Sequence, residues 1–574
     1  MRSTGVFFLL ALSVIALPGS PSTQSCWTDG LRRLEVNTRG AIEFSDDDRD
    51  VKSLSPGGYF RVEENHLLGF TGRRYEVSAD SSGRLTRAYF DHERAMPLDS
   101  QGQAWLMGVM PEVIRKTGLG AVPRIRRILT QGGPSAVLSE ISRIRDDEPK
   151  RLYLEELITR GNLDRDGLSS AMLQARKIGS DEQKADFLTG MASYFLKDAS
   201  LRVAIFQAAG TIGSDEEHSR ALLELVRLDS GNRDSLKLAA KSAGRIGSDE
   251  EKARVLVEIG QLYAGDREIG QALVSSASTI GSDEERRRVL SVVLKSTAPD
   301  REMPVEALRS AASIGSDEEK AALLMEAAPH YVDGNAARRA FFDAAGTIGS
   351  DQERHRVLTA ILNRPGLPDV ALAAVARCAK AMGSDEEKAG VLADMATASF
   401  QNPGLRADFF EALNSIGSDE ERKRVLILAA HRAGADPETQ AELARSAKQM
   451  GSDEHKAAVL AELAGSTLRD EKSRDAFFGA VDSIGSEQER GRVLSAVVTR
   501  RGVAKGGLIR AIESAGRISS DEIKAGVLSE AMGASSFGDA QIRMAVQKAL
   551  DTIQSDSEYR RLMSALSKNN TPAR

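Results

Sequence analysis

The sequence predicts a mainly α fold: an α-solenoid of about thirteen 34-residue, two-helix repeats behind a small antiparallel β domain. Three observations carry this. A tetrapeptide Ile-Gly-Ser-Asp, or a close variant, returns at a fixed step, its serine falling at Ser180, Ser214, Ser248, Ser282, Ser316, Ser350, Ser384, Ser418, Ser452, Ser486 and Ser520 without any change of spacing, then at Ser555 after one residue more. Each step holds two amphipathic runs, and such units bury their apolar faces only by stacking on neighbours. Before about residue 100 the helical spacing gives way to short β-forming runs.

In chain order, residues 1–25 read as an export signal: Arg2, an apolar stretch from Val6 to Leu17, then Pro18, Gly19 and small polar residues, with cleavage between Gly19 and Ser25. That stretch is short for a membrane span and no later one is long enough, so the mature chain is expected to lack a transmembrane segment and to be extracytoplasmic, periplasmic or secreted. Thr23-Gln24-Ser25 lacks the aliphatic residue that lipidation uses three positions before a cysteine, which argues against a lipoprotein anchored at Cys26.

Residues 26–100 are read as the β domain, with strands at Leu34-Glu35-Val36, Ala41 to Phe44, Tyr59 to Val62 and Tyr75-Glu76-Val77. Ser81-Ser82-Gly83 joins Tyr75–Ala79 to Leu85–Phe90 as a hairpin. Residues 101–143 form a helical connector: Trp105, Leu106, Val109, Met110 and Val113 share one face, and Val122–Leu129 and Pro134–Ile144 follow.

Residues 144–574 are the array. Asp146, one period before Ser180, sits in a worn first copy without the glycine, and Ser519 and Gln554 replace the glycine at the far end, as terminal repeats are expected to do. Within a junction such as Gly247-Ser248-Asp249-Glu250-Glu251, the glycine is expected to close one helix in the left-handed conformation and the serine to cap the next. Three residues beyond the serine stands Gln183, Glu217, Glu251, Glu285, Glu319, Glu353, Glu387, Glu421, Glu489 or Glu558, so a reciprocal capping box is expected everywhere except at His455 and Ile523. The acids after each serine face the positive end of the helix dipole. Val255-Leu256, Ile259 and Leu262 give helix A its apolar stripe, Gly265-Asp266-Arg267 makes a turn, and Ile269 to Ile280 is helix B. The Trp, Tyr and Pro signature of tetratricopeptide repeats is missing, so a HEAT-like stack is expected.

A second period doubles the unit to roughly 68 residues. Lys184, Lys252, Lys320, Lys388, Lys456 and Lys524 stand four after the serine in one type; Arg220, Arg288, Arg356, Arg424, Arg492 and Arg561 stand six after it in the other. Helix B before the arginine type carries Phe341-Phe342, Phe409-Phe410 or Phe477-Phe478, read as core anchors. Each arginine follows a glutamate by three residues, an intrahelical pair contributing about 0.2–0.5 kcal/mol. The alternative is a partner-binding basic ridge, its teeth roughly 20 Å apart at the usual helix spacing.

The seven histidines show no metal-ligand spacing, and His218, His355 and His455 read as surface residues. Neither a nucleophile elbow nor a phosphate loop is present. Asn162 to Gly167 opens like a calcium loop but has Leu173 where the bidentate glutamate belongs, so it reads as a turn. Asp46 to Asp50 reads as a solvated loop, and Cys378 as a small buried residue of a helix B. With 77 basic and 83 acidic residues the net charge is −6, which gives no nucleic-acid signature. No cofactor, metal or catalytic residue is assigned, and a non-enzymatic chain is expected.

Gly40 to Phe44, Leu54-Ser-Pro-Gly-Gly-Tyr-Phe60 and Ala104-Trp-Leu106, followed by Ser-Asp-Glu repeats, resemble a family of uncharacterised exported bacterial proteins similar to regions found beside BlaR-type membrane metallopeptidases. The resemblance covers nearly all the mature chain but brings no peptidase, since His-Glu-x-x-His is absent. It implies a sensory or regulatory subunit of an envelope signalling system. The array itself implies an exported scaffold that holds another envelope protein or peptide.

Nearest-neighbour stacking does not fold back on itself, so an elongated particle is expected. Small-angle scattering of the mature protein should give a radius of gyration well above the roughly 25 Å of a globule of this length; a compact value would mean that the repeats close on themselves.

Overall fold

A computed structural model describes residues 23–66, 72–262, 265–295, 302–331, 334–396, 402–432, 436–464 and 468–569; residues 1–22 of the expected export signal lie outside them. The chain divides into two compact units, residues 1–280 and 281–574.

The first unit opens with strands β1 (Thr23–Asp29), β2 (Arg32–Arg39), β3 (Ile42–Phe44), β4 (Val51–Leu54), β5 (Tyr59–His66), β6 (Arg73–Ala79), β7 (Leu85–Asp91) and β8 (Arg94–Met96). Six form an antiparallel sheet in the order β1-β2-β5-β6-β7-β8, and β3 pairs with β4 alone. The expected hairpin is present, Ala79 opposite Leu85, its turn held by Asp80 Oδ1 accepting from the N–H groups of Ser82 and Arg84. Sequence reading missed β1, β4 and β8, whose exposed or very short runs carry no apolar alternation. Strand β1 starts inside the 1–25 stretch, so a cut between Gly19 and Thr23 leaves it whole and one nearer Ser25 divides it.

Leu34, Val36, Phe60, Val62, Tyr75 and Val77 form the inner face of the sheet and bury against Leu106, Val109, Met110, Val113 and Ile114 of helix α1 (Ser100–Thr117). Asp99 caps α1 by accepting from Gly102 N, and Gly118, at φ +68°, closes it in the left-handed conformation. Helix α2 (Ala121–Ile141) is interrupted at Gly133, next to Pro134, dividing it near the expected boundary. The acidic loop Asp46–Asp50 is solvated only in part: Asp46, Asp47 and Arg49 are exposed, whereas Asp48 and Asp50 are engaged. Asp48 accepts from Arg124 Nε at 2.7 Å and from Arg127, and Asp50 accepts from Tyr75 Oη at 2.6 Å. Arg124 is 5% exposed and also donates to Glu140 and to Tyr153 Oη, each at 2.8 Å. Burial opposes ionisation of Glu140, yet Arg115 and Arg124 hold its carboxyl below the usual range. A buried guanidinium needs such partners, and here they tie the β domain to the connector.

Beyond α2, two-helix repeats follow as expected. Asp164 caps the helix Arg165–Ala175 by accepting from Gly167 N, so Asn162 to Gly167 is the expected turn. The Ile-Gly-Ser-Asp motif assigns one task to each residue. Ile178, Ile246, Ile314, Ile348 and Ile416 are plugs, at most 1% exposed. From Ser180 to Ser520 each serine Oγ accepts from the N–H three residues on, those of Gln183, Glu217, Glu251, Glu285, Glu319, Glu353, Glu387, Glu421, His455, Glu489 and Ile523, while Ser555 Oγ pairs with Ser557 Oγ. The aspartate reaches into the following repeat: Asp181 Oδ1 accepts from Gly213 N at 3.0 Å and Oδ2 from Ser214 N at 2.7 Å, and Asp317 does the same to Gly349 and Ser350. The clamp recurs from Asp147 to Asp521, with Glu487 serving Ser519 and Ser520.

This clamp corrects two expectations. The junction glycines are not left-handed; a Cβ at Gly179, Gly213, Gly247, Gly315 or Gly349 would stand 3.0–3.3 Å from the clamping carboxylate, so glycine leaves room for it. The capping boxes are not reciprocal, because the serine N–H that a glutamate would have satisfied is already bound by the preceding repeat's aspartate. The displaced Glu217, Glu285, Glu353 and Glu421 turn to the arginine one turn on.

The doublet has a physical basis that only half showed in the sequence. Lys184, Lys252, Lys320, Lys388, Lys456 and Lys524 are 4–5% exposed. Their ammonium groups donate to the carbonyls of Thr211, Thr279, Thr347, Ser415, Ser483 and Thr552 at 3.0–3.2 Å, at the end of helix B. In three arginine-type repeats the same position holds Arg354, Arg422 and Arg490, and these reach back to the carbonyls of Ile348, Ile416 and Ile484. A junction such as Thr347-Ile348-Gly349-Ser350 thus has both carbonyls covered by cations and both N–H groups by one carboxylate. Cations at a helix C-terminus meet unpaired carbonyls and the negative end of the dipole. The B helices pair accordingly: Asp369–Lys380 packs more extensively on Pro403–Asn414 than the latter does on Pro437–Lys448. The phenylalanine pairs are core anchors as expected, Phe341, Phe409 and Phe477 fully buried, with edge-on rings 5.2–5.5 Å apart.

Asp317→Ala, which strips acceptors from two backbone N–H groups, is expected to destabilise by about 1–3 kcal/mol. Ser316→Ala should cost about 1 kcal/mol. Urea unfolding of both against a surface Ser→Ala control checks the assignment, and equal midpoints would overturn it.

Acid provides a second test. The N–H groups of Ser486, and of Ser519 and Ser520, hold Asp453 and Glu487 below the usual carboxylate range. A depressed carboxyl adds stability above its unfolded value of about 4 and loses it as pH falls through the folded value. The melting temperature should therefore fall as pH drops below about 4, less steeply in Asp453→Asn/Glu487→Gln; a flat profile in both proteins would contradict the clamp.

Candidate interaction site

The six arginines of the expected ridge are each met by the glutamate one turn earlier: Arg288–Glu285 at 2.7 Å, Arg356–Glu353 at 2.8 Å, Arg424–Glu421 at 2.7 Å, Arg492–Glu489 at 3.3 Å, Arg561–Glu558 at 2.8 Å, and Arg220 with Glu217 and Asp186. Their side chains remain 42–57% exposed. The helix capping assigned to the serines is formed, as described above.

His218 is not a surface residue as expected. It is 3% exposed, takes the position filled by lysine or arginine elsewhere, and pairs with Ser242 Oγ at 2.9 Å; burial pushes its imidazole down to about 4, so it is neutral. His355 and His455 are partly exposed and meet Glu387 and Glu420. Among the described residues no three His, Cys, Asp or Glu side chains gather in a way that could hold a metal ion. Cys26 is exposed on β1.

Concave space lies elsewhere. In the first unit a groove of about 650 Å³ between the B helices Arg233–Ala243 and Arg267–Ala277 is lined by Lys237, Lys241, Arg245, Glu268 and Gln271, with Lys237 paired to Glu268 at 2.7 Å. The β domain carries a hollow of about 610 Å³ beside Glu63, Arg74, Phe90 and His92. In the second unit a groove of about 650 Å³ lies between Asn335–Gly346 and Asp369–Lys380. Phe342, Val370 and Cys378 give it an apolar lining, and Arg338, Arg339 and Arg377 surround it with a single acid, Asp343. Burial pushes the Cys378 thiol up to about 11, so it is held as the neutral thiol.

Sequence reading missed this groove, although the doublet period contained the signal. Cys378 stands in a column that elsewhere holds Gln174, Ser242, Ser310, Ser446 and Ser514, and Val370 and Ala374 stand where the doublets on either side have Glu302 and Glu306, and Glu438 and Glu442.

No family model matches the chain, and no curated protein is similar to it. Among solved structures, UNC-45 from Drosophila melanogaster is similar at 13% identity over 82% of this chain and 94% of that one, with a TM-score of 0.20. A crystal structure of Kap121p bound to Pho4p is similar at 15% identity over 82% of this chain and 54% of that one, with a TM-score of 0.19. A circular tandem repeat protein of novel topology shares 17% identity over 82% and 92%, at a TM-score of 0.13. Likenesses this distant leave the function to be argued from the chain's own surfaces.

Proposed function

We propose that this chain is an exported, non-enzymatic scaffold that holds a protein or peptide on its helix-B surface. The observation that carries the reading is how its ionisable groups are used: aspartates clamp the next repeat, lysines and arginines cover helix-end carbonyls, and glutamates pair with arginines one turn on. These partners hold the array together, while concave space accessible to a ligand lies between B helices. Export rests on Arg2 and the apolar run from Val6 to Leu17, which lie outside the described residues. The resemblance stated above adds the envelope as the place where a partner would be met.

The test is capture from envelope extract followed by rebinding of the purified partner at two salt concentrations. Replacing Arg288, Arg356 and Arg424 together by Gln removes three pairs contributing about 0.2–0.5 kcal/mol each, so the variant should melt nearly as wild type and bind the partner with unchanged affinity. Loss of affinity together with its salt dependence would move the contact to the arginines of the A helices. Failure to retain any protein specifically would remove the scaffold reading.

A further inference from the structure

The groove between Asn335–Gly346 and Asp369–Lys380 differs in charge from the equivalent surfaces of its two neighbouring doublets. In the doublets on either side, the helix equivalent to Asp369–Lys380 carries two glutamates: Glu306 pairs with Arg309 at 2.8 Å and Glu442 with Arg445 at 2.6 Å within the helix, and Glu438 meets Lys472 of the next helix B at 2.6 Å. Here both glutamates are replaced, by Val370 and Ala374. Arg377, having alanine where its counterparts have an intrahelical acid, turns away to Asp408 of the next helix B. Arg339 is exposed and has no carboxylate partner among the described residues. Val370 is 53% exposed, and Phe342 and Cys378 lie beside it in the same groove. Relative to those two doublets the groove thus carries two fewer negative charges and more apolar surface.

We propose that this groove is the docking site for an acidic segment of a protein partner, one that places an apolar side chain on Phe342, Val370 and Cys378 and a carboxylate at Arg339. The proposal rests on the scaffold reading and specifies where its partner binds. Charge complementarity selects an acidic ligand: three guanidinium groups line the groove with one carboxylate, and although Arg377 is held by Asp408 of the next helix B, Arg339 is exposed with no carboxylate partner among the described residues and presents its fork to a ligand carboxylate. The apolar lining selects a peptide over a bare polyanion, which would leave Val370 in water.

The array supplies its own test variant. Val370→Glu/Ala374→Glu installs the residues that both neighbouring doublets carry, so it should fold, which an unchanged melting temperature confirms; Arg339→Gln is the second variant. Binding of a short fluorescent peptide of alternating glutamate and leucine to the full chain is read by anisotropy. The double variant should bind at least about tenfold more weakly, Arg339→Gln should also bind more weakly, and in a Cys26→Ser background the peptide should slow alkylation of Cys378. Equal affinity of wild type and both variants, an unprotected Cys378, no binding of the peptide, or equal binding of a lysine-leucine peptide or a short oligonucleotide would each overturn the groove assignment. None of these removes the scaffold reading, which fails only if no envelope protein is retained.

Discussion

A carboxylate that accepts two backbone N–H groups from the following repeat is the constraint on which the array depends. Asp181, Asp317 and their equivalents sit at the first position of helix A, bound to the N–H groups that open the next helix A. Hydrogen bonds to an ionised acceptor are the strong ones, and these join neighbouring repeats through the backbone, where side-chain variation elsewhere does not disturb them. Their demand for space explains the glycine, and their occupation of the serine N–H explains why the recurring glutamates are left to pair with arginines.

The cations complete the same junction from the other side. A helix B that stops short of the next capped helix leaves carbonyls unpaired. Lys320 covers Thr347 from the repeat before, and Arg354 covers Ile348 from the repeat after. Because the lysine reaches forward and the arginine backward, both act on the same junction, and alternate junctions differ. The doublet is therefore a consequence of cation reach, and the unequal packing of successive B helices accompanies it. Space between less closely packed B helices is where the groove at Phe342 and Cys378 opens.

At the other end the β domain is fixed by a buried ionic cluster. Arg124 gathers Asp48, Glu140 and Tyr153, drawing an acidic loop of the β domain onto the connector. Removing one member of such a cluster leaves an uncompensated buried charge, so its members are needed together. The run Asp46 to Asp50 gave no hint of this, because the guanidinium partners of Asp48 stand far along the chain, beyond the whole sheet and helix α1.

The sequence alone determined the repeat length, the two helices per repeat, the serine caps, the buried phenylalanine positions and the β hairpin. These follow from local periodicity and from groups that act within one or two turns of chain, so spacing is enough to read them. It also contained the difference between Val370 and Ala374 and the glutamates of the two adjacent doublets, though not its meaning. Tertiary structure decided which backbone groups each ionisable side chain satisfies: that the aspartate serves the next repeat 32 and 33 residues on, that the lysine reaches 27 residues forward, that His218 is buried, and that arginines surround an apolar groove. A carboxylate beside a capped helix has the same local sequence whether it faces its own dipole or its neighbour's amides, and only the packing of one repeat on the next selects between them.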